Sequence, residues 1–145
     1  MENQSIKKRI IEKIEELREF ISQLYEFIPS NMDLEDYKQD LKTKAVCERY
    51  CEKIIEAAED LSFLMISYRK LKYPENEKEV FDILKQAGII SEELTEKLKD
   101  FKGMRNIIAH QYGKIDDEIV FEAVTEQLEK DINSFINIIG KEVRK

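Results

Sequence analysis

Apolar residues recur at alternating steps of three and four along most of this 145-residue chain, and that rhythm dictates helices. Ile10, Ile14, Leu17, Ile21, Leu24 and Ile28 are spaced four, three, four, three, four. They form one stripe on a helix predicted over residues 3–28, with Lys, Glu and Arg between its members. Pro29 ends that helix, because the residue before a proline is pushed out of the helical region. Asp33 is placed to cap the next helix. This second, long helix is predicted over residues 34–72. Leu34, Tyr37, Leu41 and Ala45 open its stripe sparsely, and Cys51, Ile54, Ala58, Leu61, Met65 and Tyr68 continue it. Two long stripes joined by a short turn pack as an antiparallel pair, whose remaining apolar surface calls for further helices or a second copy of the chain.

Tyr73 to Asn76 breaks the pattern, and Asn76 with Glu79 resembles a capping box for a short helix through Val80, Phe81 and Leu84. Gly88 is a natural stop, Ile89-Ile90 reads as a buried linker, and Ser91 can cap the next helix. That helix carries Leu94, Leu98, Phe101, Arg105, Ile108 and Tyr112 at steps of four, three, four, three, four, and Gly113 ends it. Asp116 and Asp117 offer caps for a last helix over residues 117–143, whose apolar set includes Val120, Val124, Leu128, Ile132, Phe135, Ile139 and Val143. With 4 Gly and 2 Pro the chain lacks the turns of an all-β fold, and 38% charged residues suit the wet faces of helices. The expected fold is an all-α antiparallel bundle of about four to five helices, one domain over residues 1–145 without internal repeats.

No apolar run approaches the ~20 residues of a membrane span. The first residues, MENQSIKKRIIEKIEEL, lack the apolar core of a signal peptide, so the expected compartment is the cytoplasm, with no membrane partner. Cys47 and Cys51 lie four apart within a helical pattern, which suits two buried small side chains better than a disulfide or a zinc site. One histidine and no Cys-His cluster argue against catalytic zinc, and no cofactor or metal is expected.

The net charge of −7 counts against a non-specific nucleic-acid binder. Locally the balance reverses. Between positions 97 and 114 stand Lys97, Lys99, Lys102, Arg105 and Lys114 against Asp100 alone. This is either a solvated helix face or a phosphate-attracting patch.

The same stretch holds the only histidine, in Arg105-Asn106-Ile107-Ile108-Ala109-His110-Gln111-Tyr112. An arginine on an apolar stripe is an anomaly, since its guanidinium is always charged and costly to bury unpaired; snorkelling or pairing with a carboxylate is the plain explanation. A histidine side chain ordinarily titrates near neutrality and can take or give a proton there. RNA cleavage needs little more. A base removes the 2′-hydroxyl proton, the oxygen attacks phosphorus, and an arginine fork steadies the developing dianion. Five residues put Arg105 and His110 roughly 140° apart on a helix, so they share no face. To meet at one phosphate, the arginine must wrap around, the helix must end near His110, or a second subunit must supply the partner group.

The pattern Arg-x4-His-x-Tyr resembles that of HEPN-domain proteins, specifically the HepT toxin family. The flanking residues are similar too: Phe81-Asp82-Ile83-Leu84, Ala87-Gly88-Ile89-Ile90, Ser91-Glu92-Glu93-Leu94, Gly103-Met104-Arg105-Asn106, Ile115-Asp116 and Val120-Phe121, with residues 49–61 resembling the family's central helix. The resemblance implies a helical bundle that dimerises and forms a composite, metal-independent endoribonuclease site between subunits, acting on RNA such as tRNA or mRNA. It implies Arg105 as phosphate binder, His110 as general base or acid, and Asn106 as a supporting polar group. Lys97, Lys99, Lys102 and Lys114 would contact RNA. It also implies an MntA-type nucleotidyltransferase antitoxin that transfers AMP to Tyr112, adding bulk and negative charge where phosphate must sit. A non-catalytic helical dimer that binds such a partner, or a nucleotide, is the alternative.

Overall fold

A computed structural model describes residues 2–76 and 79–145, with Tyr112 described by its backbone alone. Four long helical stretches make the body of the molecule: α1 (Glu2–Phe27), α3 (Leu41–Tyr68), α5 (Glu92–His110) and the final run α6 (Asp117–Glu122) through α7 (Leu128–Arg144). Short α2 (Leu34–Gln39) and α4 (Val80–Gln86) sit in the connections. The long elements close a ring in which α1 packs on α3, α3 on α5, α5 on α7 and α7 on α1. No strand occurs among the described residues. Cross-links fix the directions. Lys13 reaches Asp60 at 3.7 Å and Tyr50 donates to Gln23 at 2.9 Å, so α1 and α3 run antiparallel.

The stripes predicted from the sequence face inward. Ile10, Ile14, Leu17, Ile21 and Leu24 are buried on α1, and Leu128, Ile132, Phe135, Ile139 and Val143 on α7. Helix α3 is buried on most of its circumference, as a helix with neighbours on both sides must be. Cys47 and Cys51 are buried free thiols inside it; burial pushes the Cys47 thiol up to about 12 and raises Cys51 further. Ser91 caps α5 by accepting from the Leu94 N–H at 3.0 Å, Asp116 caps α6, and Gly88 at φ +77 ends α4.

Three expectations are corrected. The predicted helix over residues 34–72 breaks at Asp40, whose carboxylate accepts from the Thr43 N–H at 3.1 Å and the Thr43 hydroxyl at 2.8 Å. A local side-chain bond here outcompetes continuation of the helix and starts α3 afresh. The helix then stops at Tyr68: the Leu71 N–H bonds back to the Ile66 carbonyl at 2.9 Å, with Lys70 left-handed at φ +57. At the next boundary the helix opens at Val80; the Asn76 side chain meets Glu79, donating to its Oε1 at 3.4 Å, and residues 77 and 78 between them lie outside the described residues. The last helix is not uniform, because a π segment (Ala123–Gln127) separates α6 from α7. Val120, Val124, Leu128 and Ile132 succeed one another at steps of four, each of which overshoots a turn by roughly 40°. The wider π turn takes up that overshoot and keeps the stripe on the core. Finally, α5 ends at His110, and Tyr112–Lys114 forms a 3-10 turn, so the helical stripe does not extend to Tyr112.

Thr43 holds the Asp40 carboxyl below the usual carboxylate range through its backbone N–H and then its hydroxyl. A depressed native value contributes stability above the ordinary carboxylate pKa of about 4 and loses it as pH falls through the native one. The stability difference between the parent chain and Asp40→Ala, from urea unfolding, is therefore full at pH 7 and vanishes in strong acid. A difference independent of pH contradicts this cap.

Candidate active site

The site is laid out by the α3–α5 pair. Lys102 and Glu59 form an ion pair at 3.0 Å with both side chains 7% exposed, and one turn along, Arg105 faces Glu56. Moving three residues up α5 moves three residues down α3, so the helices are antiparallel in fixed register. A buried pair of this kind contributes little net stability against an apolar replacement. Removing one partner strands a charge, and that penalises slippage of one helix along the other.

Arg105 is half-buried. Its Nη1 donates to Asn106 Oδ1 at 3.0 Å, its Nη2 lies 3.9 Å from Glu56 Oε2, and its Nε is buried without a hydrogen-bond partner among the described residues. The arginine on the apolar stripe is thus explained by both conventional means: its stem packs inward and its head meets a carboxylate. Asn106 is the adjacent support on the guanidinium. Glu56 is 59% exposed and loosely placed, so the Nη2 edge is the one open to an incoming anion. His110 is exposed at the last position of α5, and the Gln111 N–H bonds to the Ile107 carbonyl to close the helix. Arg105 and His110 therefore leave the helix in different directions, one toward α3 and one toward solvent. Gly103, Ile107 and His110 share the exposed face at steps of four and three, with Ile107 37% exposed. A Cβ added at Gly103 would meet nothing within 4 Å, so nothing within this chain requires a glycine there.

The lysine patch takes a different form from the one the sequence suggested. Lys102 is buried in its pair with Glu59 and offers no ammonium to a surface ligand. Lys97 sits between Glu93 at 3.3 Å and the buried Asp131 at 3.6 Å, and its affinity for the proton is raised first by the Glu93 hydrogen bond. Lys99 reaches Asp82 at 3.3 Å. The acids that neutralise the patch come mainly from α3, α4 and α7, out of reach of a local charge count. Lys114 stands exposed in the 3-10 turn after α5. Tyr112 opens the same turn, and its side chain lies outside the described residues.

Sequence reasoning missed Glu56 and Glu59. The signal for Glu59 lay in Ala57-Ala58-Glu59-Asp60-Leu61, an acid inside an apolar run, as anomalous on α3 as Arg105 is on α5. No group of three or more His, Cys, Asp or Glu residues among the described ones is arranged to hold a metal ion. No helix among them is long and apolar enough to cross a membrane.

The chain and its fold have counterparts. The chain is 28% identical over 133 residues to the mRNA nuclease HepT of Shewanella oneidensis, covering 92% of this chain and 97% of that one. It is also 28% identical over 145 residues to the tRNA nuclease HepT of Aphanizomenon flos-aquae, covering 95% and 97%. Its fold superposes with a TM-score of 0.81 on a tri-AMPylated Shewanella oneidensis HEPN toxin solved in complex with an MNT antitoxin, at 27% identity over 91% of this chain and 96% of that one. The family model described as Ribonuclease HepT-like matches residues 10–139, the whole of the ring from the first buried isoleucine of α1 to the last of α7. That match covers most of the chain, and the chain belongs to the HepT-like ribonuclease family.

Proposed function

We propose that this protein is an endoribonuclease toxin whose active site is completed by a second copy of the chain. The observation that carries the reading is the divergence of Arg105 and His110 about the end of α5, beside an exposed face made of Gly103, Ile107 and His110. Packing α5 against its two-fold copy covers Ile107, uses the glycine for close approach, and places each arginine near the partner subunit's His110. In such a cleft one imidazole takes the 2′-hydroxyl proton and the oxygen attacks phosphorus. Arg105, steadied by Asn106, neutralises the dianion through its Nη2 edge as phosphate displaces Glu56. The 5′-oxygen leaves with a proton drawn from water, and the hydroxide left behind takes the imidazolium proton, giving a 2′,3′-cyclic phosphate and a 5′-hydroxyl. No step calls for a metal ion. Lys114 is the patch lysine placed to meet RNA. The Shewanella relative is an mRNA nuclease and the Aphanizomenon relative a tRNA nuclease, so RNA is the substrate class proposed.

Neutralisation rests on the same chemistry. A nucleotidyltransferase partner that adds AMP to Tyr112 places negative charge directly after the catalytic helix, where it repels the substrate backbone. The antitoxin in the Shewanella complex supports this reading.

With EDTA present, labelled RNA is expected to be cleaved by the parent protein, and His110→Ala to lose at least ~100-fold in rate. Equal background from both would leave a binding module and no nuclease. Gly103→Ala tests the α5 face with effects of opposite sign. It adds roughly 1 kcal/mol of helix propensity to the isolated chain while obstructing close approach, so light scattering should show dimer loss without loss of melting temperature. An unperturbed dimer excludes this face. Incubation with the partner and ATP should add the mass of AMP at Tyr112. An unmodified tyrosine beside a demonstrably active partner rules that step out.

A further inference from the structure

Two helices in this chain end on the same backbone motif, with different residues at its left-handed position. After α4 the left-handed position is Gly88 at φ +77; after α3 it is Lys70 at φ +57. In both, the next N–H bonds back five residues at 2.9 Å, from Ile89 to Leu84 and from Leu71 to Ile66. Glycine holds that conformation without strain and lysine does not, so the backbone gives no reason for a lysine. The reason sits in its side chain. Lys70 lines a cleft of about 490 Å³ with Arg9, Ser67 and the exposed Tyr73. Arg9, Ser67 and Tyr73 also border the adjoining cleft that contains Lys13 and Asp60. Unlike Lys97, Lys99 and Lys102, neither Arg9 nor Lys70 has a carboxylate in ion-pair reach among the described residues; Glu2 is the acid that lines the Lys70 cleft. An aromatic ring among free cations is the surface that single-stranded RNA takes, bases on the ring and phosphates on the cations.

This cleft lies in line with Arg105. Glu56, Asp60, Phe63 and Ser67 succeed one another at steps of four, three and four on α3 and are less buried than the residues between them. Eleven residues of helix place Ser67 about 17 Å from Glu56 on the same face. The two acids of the stripe are each met by a cation from a neighbouring helix, Glu56 by Arg105 and Asp60 by Lys13. A strand leaving the Arg105 site along α3 passes the paired Lys13 and Asp60 and reaches the unpaired Arg9 and Lys70 beside Tyr73.

We infer that Arg9, Lys70 and Tyr73 form a second RNA-binding site, which holds substrate a few nucleotides from the scissile phosphate. The inference rests on the nuclease reading for its purpose, but its test does not. Binding of fluorescent single-stranded RNA of about twenty nucleotides is measured by anisotropy on the full chain carrying His110→Ala, alone and with Arg9→Gln/Lys70→Gly. Affinity for the long RNA should fall at least tenfold. The slope of log affinity on log salt should shrink by about 1.4, two contacts at about 0.7 each on single strands. An oligonucleotide of about four residues, too short to span both sites, should lose nothing. Lys70→Gly by itself should raise or preserve the melting temperature, which separates RNA binding from folding. In the catalytically intact chain the double variant should raise KM on the long RNA and leave kcat unchanged. Unchanged affinity for the long RNA overturns the inference. So does unchanged affinity accompanied by lost binding of the nucleotidyltransferase partner, which would give the surface to a protein. RNA binding that depends on Arg9 and Lys70 in a chain that cleaves nothing would uphold this site and remove the nuclease reading.

Discussion

The buried Lys102–Glu59 pair is the contact on which the geometry of the site depends. Apolar stripes hold α3 against α5, but stripes of similar side chains tolerate slippage by a turn. A desolvated charge pair resists it, because a slip breaks the 3.0 Å contact, and a buried charge left without its partner costs several kcal/mol. One turn farther along, the same register delivers Arg105 to Glu56 and leaves its Nη2 edge outward. Since α5 ends five residues later, the register also decides where His110 emerges.

Charge placement explains how an acidic chain can serve RNA. The net charge of −7 is a property of the whole surface, whereas substrate is met at a few points. Near α5 the lysines are held by carboxylates, most of them from other elements, and their work is architectural. Among the cations left for a ligand are Arg105, whose partner is loose, Lys114 in the turn after α5, and the pair Arg9 and Lys70 by the far end of α3. Loose pairs are easily exchanged for phosphate; buried ones are not.

Much of this was legible in the sequence, for reasons that can be named. The four long helical stretches, their order and their inward faces came from the three-four rhythm, and Ser91, Asp116 and Gly88 marked ends because each performs one local task visible in one residue type. Asp40 was overlooked because Leu41 and Ala45 continue the stripe across it, and a capping bond leaves no periodic trace. The π segment was hidden for the opposite reason: steps of four look regular until their phase is summed. The motif at Arg105 and His110 could be read directly, but its lysine neighbours could not. Their partners, Glu59, Asp82, Glu93 and Asp131, are mostly distant in sequence, and only folding brings them within 4 Å. Glu56 was invisible for the same reason.

The central claim is that each chain carries half a site, and mixing two inactive halves tests it most directly. Arg105→Ala and His110→Ala chains, each inactive alone, are mixed under conditions that exchange subunits, and RNA cleavage is monitored in EDTA. In a shared site the mixed dimer pairs the arginine of one chain with the histidine of the other, so one of its two sites is whole. With random exchange about a quarter of the parent activity returns. If every site is built within a single chain, no mixture contains an intact one. Activity that stays at background after demonstrated subunit exchange would contradict the account.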